Sequence, residues 1–177
     1  MKTLVVVTHP DMEKSVINRR WAEELKKHPE RFTVHELYRE YPDGRIDVRR
    51  EQALVEAHGS LILQFPVYWF SCPSLLKKWM DEVLAFGWAF GPQPGADKMK
   101  DRKVALAVSA GVQAEDFGPQ GKYRYTLDEM VVPFKAMCLY VDASFQPFFA
   151  FYGAEDASAA GRLETSARDY LRFALNL

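Results

Sequence analysis

Three nearly continuous apolar runs constrain the fold of this chain more than any other feature of its sequence. The runs are LVVV, LILQF and VALAV, which lie within the segments Thr3–Thr8, Ser60–Phe65 and Lys103–Ser109. A strand needs such a run when helices cover both faces of a parallel sheet, because none of its residues then faces water. The runs therefore predict three central strands of an α/β fold.

Helical segments alternate with strands along the whole chain. Two more β-rich segments, Phe32–Leu37 and Ser144–Tyr152, bring the predicted strands to five. The predicted helices are Lys14–His28, Val48–His58, Pro73–Phe86, Leu127–Leu139 and Asp156–Leu175, with Ala53, Leu54 and Ala57 facing inward in the second and Glu155 and Asp156 at the start of the last. This alternation predicts a single domain, residues 1–177, built as a doubly wound five-stranded parallel sheet in a three-layer α/β/α arrangement.

Charge and composition exclude several classes of function. The 177 residues include 23 basic and 24 acidic side chains, so the formal charge of −1 offers no attraction for nucleic acid. His28, His35 and His58 are scattered without metal-ligand spacing, which predicts no metal site. No apolar segment approaches the roughly 20 residues that span a bilayer, and the two cysteines are expected to be reduced thiols. We therefore expect a cytoplasmic protein with a small, roughly neutral partner.

The junctions that follow the first, third and fourth strands are expected to form one pocket, because ligands of doubly wound sheets bind outside the carboxyl ends of the strands. The first junction contains His9, Ser15 and Asn18, with Lys14 and Arg19 as sources of positive charge. Free N–H groups and the dipole at a helix N-terminus bind anions, so this junction predicts a phosphate site. A simpler alternative is that Ser15 caps the helix and His9 pairs with a backbone carbonyl.

The second junction crowds aromatic side chains around Pro66. Tyr68, Trp69 and Phe70 follow the proline at the place where a connecting loop is normally polar. A planar heterocycle would explain this composition, because main-chain N–H and C=O groups can meet its polar edge while aromatic rings cover its apolar surface. The alternative is that these rings form a core layer or a subunit interface.

The third junction consists of small residues that allow a ligand to approach the backbone closely. It reads Ser109, Ala110, Gly111 and Val112, and a long loop with Phe117 and Tyr123 follows. Long loops often carry substrate contacts, which makes Phe117 and Tyr123 candidates for that role. The alternative is that this loop is a plain connection.

Four motifs together resemble one protein family. They are HPxxxxSxxNR from His9, FPVYWFSCPSLLKKWMDEVL from Phe65, FGWAFG from Phe86 and YTLDEMVVPFKAM from Tyr125. In this order they resemble the flavodoxin-like NAD(P)H:quinone oxidoreductases. The branch they are most similar to is bacterial and includes the modulator of drug activity B and the ancillary flavoproteins of glutathione-regulated potassium efflux.

The resemblance implies a flavodoxin-like sheet, a tightly bound flavin and a homodimer with active sites at the subunit boundary. It implies FMN rather than FAD, because the chain lacks an extension for the adenine. The flavin phosphate and ribityl chain would lie at His9, Ser15, Val16, Ile17 and Asn18. The isoalloxazine would lie along Pro66, Val67, Tyr68, Trp69 and Phe70, with its pyrimidine end at Ser109, Ala110, Gly111 and Val112.

The implied reaction is hydride transfer from NAD(P)H to the flavin and then from the flavin to a quinone in the same slot. Main-chain N–H groups near Gly111 are expected to stabilise charge at the pyrimidine end, and Tyr123 to donate a hydrogen bond to the substrate oxygen. Two departures stand out. The third junction reads Ser-Ala-Gly-Val where relatives usually have Thr-Thr-Gly-Gly, and Phe117 and Tyr123 replace a tyrosine and a histidine.

Two other functions are compatible with the same features. One is a regulatory ancillary subunit that docks on a potassium-efflux transporter at the inner face of the membrane, which the departures at Ala110, Val112 and Phe117 favour. The other is an azo- or nitroreductase, which differs in acceptor shape alone. Trp88 in the FGWAFG segment is expected either to pack at a dimer contact or to cover the slot of the partner subunit.

Overall fold

A parallel sheet forms the middle layer of the computed structural model, which describes residues 1–177. Its strands are β1 (Thr3–Val7), β2 (Phe32–Glu36), β3 (Ser60–Pro66), β4 (Lys103–Ser109), β5 (Ser144–Phe145) and β6 (Phe149–Phe151). The helices are α1 (Ile17–Lys26), α2 (Leu37–Glu40), α3 (Val48–Glu56), α4 (Ser74–Val83), α5 (Leu127–Met130), α6 (Val132–Tyr140) and α7 (Ala159–Leu175), and a 3₁₀ turn spans Ala114–Asp116.

The strand order is β2-β1-β3-β4-β5, and β6 also pairs with β4. Every pairing is parallel. Strand β1 has β2 on one side and β3 on the other, so the chain leaves β1 in one direction and later returns on the opposite side. The carboxyl ends of β1 and β3 therefore flank the crevice at which such sheets bind ligands. The predicted doubly wound α/β fold is confirmed.

Two predicted elements are interrupted, in both cases near a proline. The fifth strand was expected to run through Ser144–Tyr152, but it consists of β5 and β6, separated by a segment that contains Pro147. Proline has no N–H for the ladder. The helix expected at Leu127–Leu139 is divided into α5 and α6 at Val131, because the nitrogen of Pro133 cannot donate to the carbonyl four residues earlier.

The sheet separates two hydrophobic cores. One core contains Leu4, Val6 and Leu63 and is covered by α3, α4 and α6, with Phe65 stacked on Phe134 at a centroid distance of 5.3 Å. The other contains Val5, Val7 and Ile62 and is covered by α1 and α7, where Trp21 packs on Tyr170 at 4.9 Å. Successive strand residues thus enter opposite cores, which explains the continuous apolar runs.

The expected inward face of α3 was wrong. Ala53 and Ala57 are exposed and Leu54 is partly buried, whereas Val55 and Glu51 are the buried residues of this helix. The apolar spacing pointed to the alanines because it assumes that the buried residues of a helix are apolar. A glutamate on the inward face breaks that assumption.

Glu51 is fully buried and accepts three hydrogen bonds. The donors are Nε2 of His35 at 2.9 Å, the hydroxyl of Tyr41 at 2.6 Å and Nε1 of Trp79 at 2.8 Å. Burial acts to raise the pKa of Glu51, but the hydrogen bonds from these donors outweigh it, so the pKa lies below its ordinary value. The ionised carboxylate thus joins β2, α3, α4 and the segment after α2.

None of the helices is both long and apolar enough to cross a lipid bilayer.

Candidate functional site

The carboxyl ends of β1, β3 and β4 carry two adjoining depressions with cavity volumes of about 250 and 270 Å³. They share Val67, Gly111 and Glu155. We call the two depressions together the trough. The first is lined by His9, Lys14, Ser15, Val16, Ile17, Asn18, Pro66, Val67, Tyr68, Ser109, Gly111, Ala154 and Glu155. The second is lined by Val67, Trp69, Phe70, Gly111, Val112 and Glu155. The structure thus brings the three junctions together, and their joined volume suits a small ligand.

The first junction leaves several hydrogen-bond donors without partners. Helix α1 begins at Ile17, two residues after Ser15, and no side chain caps it. The capping role considered for Ser15 is therefore wrong. The N–H groups of Val16, Ile17 and Asn18 and the hydroxyl of Ser15 make no hydrogen bond within the chain. Free amides at the positive end of a helix dipole form an anion site.

His9 lies beside these donors as a neutral ring. Its Nδ1 accepts the N–H of Asp11 at 3.1 Å, so its partner is an N–H group and not the carbonyl considered above. Burial lowers the pKa of His9 and outweighs the opposing effect of the Asp11 carboxylate. A neutral ring that accepts at Nδ1 carries its proton on Nε2. His9 can therefore donate a hydrogen bond from Nε2.

The positive charges expected near the anion site have partners elsewhere. Lys14 forms an ion pair with Asp11 at 2.8 Å, and Arg19 donates to the carbonyl of Glu13 at 3.0 Å. The anion site therefore depends mainly on neutral donors and the helix dipole, with Lys14 as a shared charge at its rim.

The side chains of Asn18 and Ser109 hold two junctions together. Nδ2 of Asn18 donates to Oγ of Ser109 at 2.8 Å, and both side chains are buried. Gln64 on β3 donates to the carbonyl of Asn18 at 2.9 Å, and the hydroxyl of Tyr170 donates to Gln64 at 3.1 Å. Asn18 can therefore offer a ligand its main-chain N–H, while its side chain braces the first junction against the third.

The second junction forms a strained two-residue turn. Trp69 and Phe70 have φ values of +48° and +58°, between the paired main chains of Tyr68 and Ser71. Turns with positive φ at both central residues usually contain asparagine or glycine, and a bulky residue in this region costs on the order of 1 kcal/mol. The N–H groups of Trp69 and Phe70 make no hydrogen bond within the chain. Strain and free donors coincide at the trough.

The aromatic rings of this junction separate into different environments. Phe65 is buried in the core, as the alternative considered for such rings expects. Trp69 is 95% exposed at the tip of the turn. Phe70 packs on Tyr123 at 4.8 Å, and Phe117 lies behind Tyr123 at 5.9 Å. A third depression of about 340 Å³ adjoins the trough at Phe70, and we call it the aromatic slot. It is lined by Phe70, Tyr123, Tyr125, Glu129 and Met130.

The residues of the third junction have two roles, because some support the main chain and others line the trough. Ala110 is buried, and its N–H and C=O groups both pair with the main chain at Phe151 and Ala154, so it lies outside the lining of the trough. Gly111 and Val112 line the trough, and the N–H group of Gly111 makes no hydrogen bond within the chain. The alanine that departs from the family pattern is thus removed from the ligand side, whereas the valine faces it.

Glu155 and its neighbour Ala154 are the lining residues that motif and spacing arguments missed. Those arguments placed Glu155 at the start of the last helix, but α7 begins at Ala159. The chain returns to the trough after β6 because Gly153, with φ of +64°, donates to the carbonyl of Val112 and Ala154 donates to that of Ala110. A glycine two residues before an acid was the one local signal of this return.

Trp88 lies in the interior of the chain. Its side chain is 9% exposed, and Nε1 donates to a carboxylate oxygen of Glu56 at 2.7 Å. Neither of the two roles expected for Trp88 fits this position. Phe86 and Phe90, on either side of it, pack edge to face at 5.8 Å, and Phe86 is exposed.

Comparison with known proteins identifies relatives along nearly the whole chain. A family model described as "Flavodoxin-like fold" matches residues 1–174. General stress protein 14 of Bacillus subtilis is 46% identical over 90% of this chain and 89% of its own length. The uncharacterized NAD(P)H oxidoreductase YrkL of the same organism is 42% identical over 97% and 98%. The potassium-efflux ancillary protein KefG of Cronobacter sakazakii is 38% identical over 77% and 74%.

Three solved structures share the fold and carry different names. General stress protein 14 of Treponema denticola, solved in complex with FMN, is 44% identical with a TM-score of 0.93 over 98% of both chains. A tryptophan halogenase from Streptomycin violaceusniger is 41% identical with a TM-score of 0.89 over 94% and 95%. An NADPH-quinone reductase from P. pentosaceus is 26% identical with a TM-score of 0.87 over 100% and 99%. The chain belongs to the flavodoxin-like family, in the branch whose members carry the names NAD(P)H oxidoreductase, NADPH-quinone reductase and KefG.

Proposed function

We propose that this protein is an FMN-dependent NAD(P)H oxidoreductase that passes a hydride to a quinone or a similar aromatic acceptor. The observation that carries the proposal is the trough itself. Free amide donors at a helix N-terminus form one end of it, a wall of main chain and apolar side chains forms the other, and an aromatic slot adjoins it. The amide donors fit a phosphate, the wall fits a planar ring, and the aromatic slot fits a second planar ring.

The phosphate end would be held by groups that have no other partner. The N–H groups of Val16, Ile17 and Asn18 and the hydroxyl of Ser15 are free to donate, and Nε2 of His9 adds a fifth donor. A phosphate accepts several hydrogen bonds at once and is favoured by the helix dipole. The set therefore suits a phosphomonoester, and the trough has room for a mononucleotide cofactor more readily than for FAD.

The ring would lie between the second and third junctions. Pro66, Val67 and Tyr68 form one wall, the free N–H groups of Trp69 and Phe70 can meet a polar edge, and Gly111 and Val112 close the pyrimidine end. When bound, FMN supplies the hydride chemistry, which the protein side chains cannot perform themselves. The main-chain N–H of Gly111 would stabilise negative charge at the nearby edge of the ring.

The aromatic slot would receive the acceptor. Phe70 and Tyr125 offer apolar faces to a planar ring, and the hydroxyl of Tyr123 makes no hydrogen bond within the chain, so it can donate to an acceptor oxygen. Phe117 supports Tyr123 from behind and would act on a substrate through that contact. NAD(P)H would use the same slot before the acceptor enters.

The relatives support this proposal from different sides. A similar protein was solved with FMN, and similar proteins are named NAD(P)H oxidoreductase and NADPH-quinone reductase. The similarity to KefG favours a second candidate, a regulatory flavoprotein that associates at the inner membrane face with a potassium-efflux system. An azo- or nitroreductase would use the same trough with another acceptor.

The test begins with the purified chain. The expected protein is yellow, releases FMN on heat denaturation, and oxidises NADH or NADPH faster when menadione is added. A chain that carries no flavin and reconstitutes with neither FMN nor FAD overturns the proposal. Bound FMN with negligible turnover of quinone, azo and nitro acceptors, together with co-purification with a potassium-efflux transporter, supports the regulatory candidate.

A further inference from the structure

We infer that Glu155 tunes the flavin site, because its carboxylate weakens flavin binding and lowers the reduction potential of the bound flavin. The inference rests on the proposed function and goes beyond it, since neither the motifs nor the named relatives assign a role to this side chain. It is carried by the position of Glu155, by the space that it occupies and by its lack of a charge partner.

The position of Glu155 is determined by main-chain hydrogen bonds. The N–H of Gly153 donates to the carbonyl of Val112 at 2.7 Å, and the N–H of Ala154 donates to the carbonyl of Ala110 at 2.9 Å. Gly153 has a φ of +64°, a backbone conformation that residues with side chains rarely adopt, so the approach of the two loops favours glycine at this position. Glu155 is thereby held beside Gly111.

The carboxyl group of Glu155 lies over Gly111. A Cβ atom on Gly111 would lie 2.7 Å from both Cδ and Oε1 of Glu155. Glu155 therefore occupies the space that the missing side chain of Gly111 leaves open, which is the space proposed for the pyrimidine end of the ring. A bound flavin must displace this carboxylate or share the site with it.

The charge of Glu155 has no partner within the chain. Its carboxylate accepts no hydrogen bond and forms no ion pair, although the side chain lines both halves of the trough. Lys14, the one lysine of the lining, is paired with Asp11. Arg162, the nearest arginine in sequence, donates to the carbonyl of Tyr152 and lies over the ring of Phe151 at 4.6 Å. The field of Glu155 thus acts on whatever the trough holds.

This field opposes FMN in two steps. The phosphate of FMN is negative, so the carboxylate weakens binding of the oxidised cofactor. A hydride carries two electrons and one proton, so its arrival adds one further negative charge to the ring beside Glu155. The carboxylate therefore penalises the reduced cofactor more than the oxidised one, and the potential falls. A lower potential favours transfer of the electrons onward to the acceptor.

The experiment compares two substitutions of Glu155 with a matched control. Glu155→Gln keeps the size of the side chain and removes its charge, and Glu155→Ala removes both. Asp156→Asn removes the same charge one residue later, at a side chain that accepts the N–H of Ser158 and lies outside the trough. FMN dissociation constants are measured by titration of FMN-free protein at low and high salt, and two-electron midpoint potentials by equilibration with reference dyes.

Glu155→Gln is expected to bind oxidised FMN about tenfold more tightly, because the carboxylate no longer repels the phosphate charge at the other end of the trough. We expect a further tenfold effect on the reduced cofactor, which raises the midpoint potential by about 30 mV. High salt should narrow the difference in affinity. Glu155→Ala should bind at least as tightly as Glu155→Gln, and Asp156→Asn should match the wild type.

The outcomes separate this inference from the proposed function. If wild type and Glu155→Gln bind FMN equally with equal potentials, the inference is overturned and the proposed function stands. If Glu155→Gln binds FMN and the wild type does not, Glu155 is confirmed as a block and the proposed function of the natural chain fails. If no variant binds a flavin, both are wrong.

Discussion

Gly111 is a residue at which an added side chain should affect ligand binding but not folding. Gly111 lines the trough, and the three atoms nearest to a Cβ built on it all belong to the side chain of Glu155, which can move away at little cost. Its φ lies outside the left-handed region, so an alanine at this position adopts the same backbone. A methyl group at Gly111 should therefore weaken ligand binding and leave the stability of the fold nearly unchanged.

Gly111→Ala is expected to weaken FMN binding tenfold or more and to change the free energy of unfolding by less than about 1 kcal/mol. The methyl group enters the space where the flavin ring is proposed to approach the main chain. The measurements are FMN titration and urea unfolding of the FMN-free protein.

Gly161→Ala is the matched control for this prediction. Gly161 lies within α7, and nothing lies within 4 Å of a Cβ built on it. Alanine in a helix should stabilise the protein by about 0.5–1 kcal/mol and leave FMN binding unchanged. Equal FMN affinity in Gly111→Ala and Gly161→Ala would contradict close approach of the ring to Gly111.

At the scale of elements, the buried Glu51 adds hydrogen bonds between elements that also pack together in one hydrophobic core. All three partners of its carboxylate are donors, and they come from β2, α4 and the segment after α2. An acceptor-only group suits such a site, because each of its lone pairs meets an N–H or O–H. A side chain that also donates cannot satisfy all three.

Glu51→Gln is therefore expected to lower the free energy of unfolding by about 2–4 kcal/mol, because the amide N–H₂ faces a donor and leaves a buried polar group unpaired. Urea unfolding at pH 7 measures this effect. Glu23→Gln removes the same charge from an exposed pair with Arg19 at 3.9 Å and should change stability by less than about 0.5 kcal/mol.

The effect of Glu51 also depends on pH. Its pKa is lower in the folded chain than the ordinary value of 4.5, so the unfolded chain binds the extra proton in the window below that value. The stabilisation is complete above about pH 4.5 and decreases as the pH falls through the lowered value. The difference in free energy of unfolding between wild type and Glu51→Gln should therefore decrease as the pH falls below about 4.5. A difference that increases would contradict the lowered pKa of Glu51.

The whole molecule presents one large apolar surface beside the second junction. A groove of about 390 Å³ lies between α4 and α6 and contains Cys72 and Met137. Phe86, Phe90 and Tyr140 continue it through ring contacts at 5.8 and 5.0 Å. Exposed apolar patches of this kind mark interaction surfaces, and with a formal charge of −1 the chain offers little self-repulsion. We therefore keep the homodimer implied by the resemblance as a prediction and place its contact here.

Light scattering after size exclusion should give twice the 20.3 kDa mass of the chain, and Leu139→Glu should shift it to the monomer. Leu139 is 77% exposed, so a charge there should leave the free subunit folded. Ala160→Glu adds the same charge on α7, across the sheet, and should remain dimeric. A monomeric wild type, or a dimer that survives Leu139→Glu, would contradict this assignment.

Several features followed from sequence alone for local physical reasons. Strands buried on both faces must be apolar at nearly every position, so β1, β3 and β4 were predicted within one residue of their ends. The order of strands and helices then determined which three junctions meet. Proline effects were harder to foresee: Pro147 and Pro133 divided a strand and a helix that their apolar patterns had joined.

Tertiary structure alone decided which atoms of the predicted residues face the trough. The pattern identified Asn18 and Ser109, but their side chains bond to each other across 91 positions, and Glu155 reaches the trough from the far end of the chain. The periodicity of apolar residues predicts which of them are buried, because the tendency of an apolar side chain to be buried depends mainly on its own residue type. A polar group is placed by its partners, and those come from segments that only the folded chain brings together.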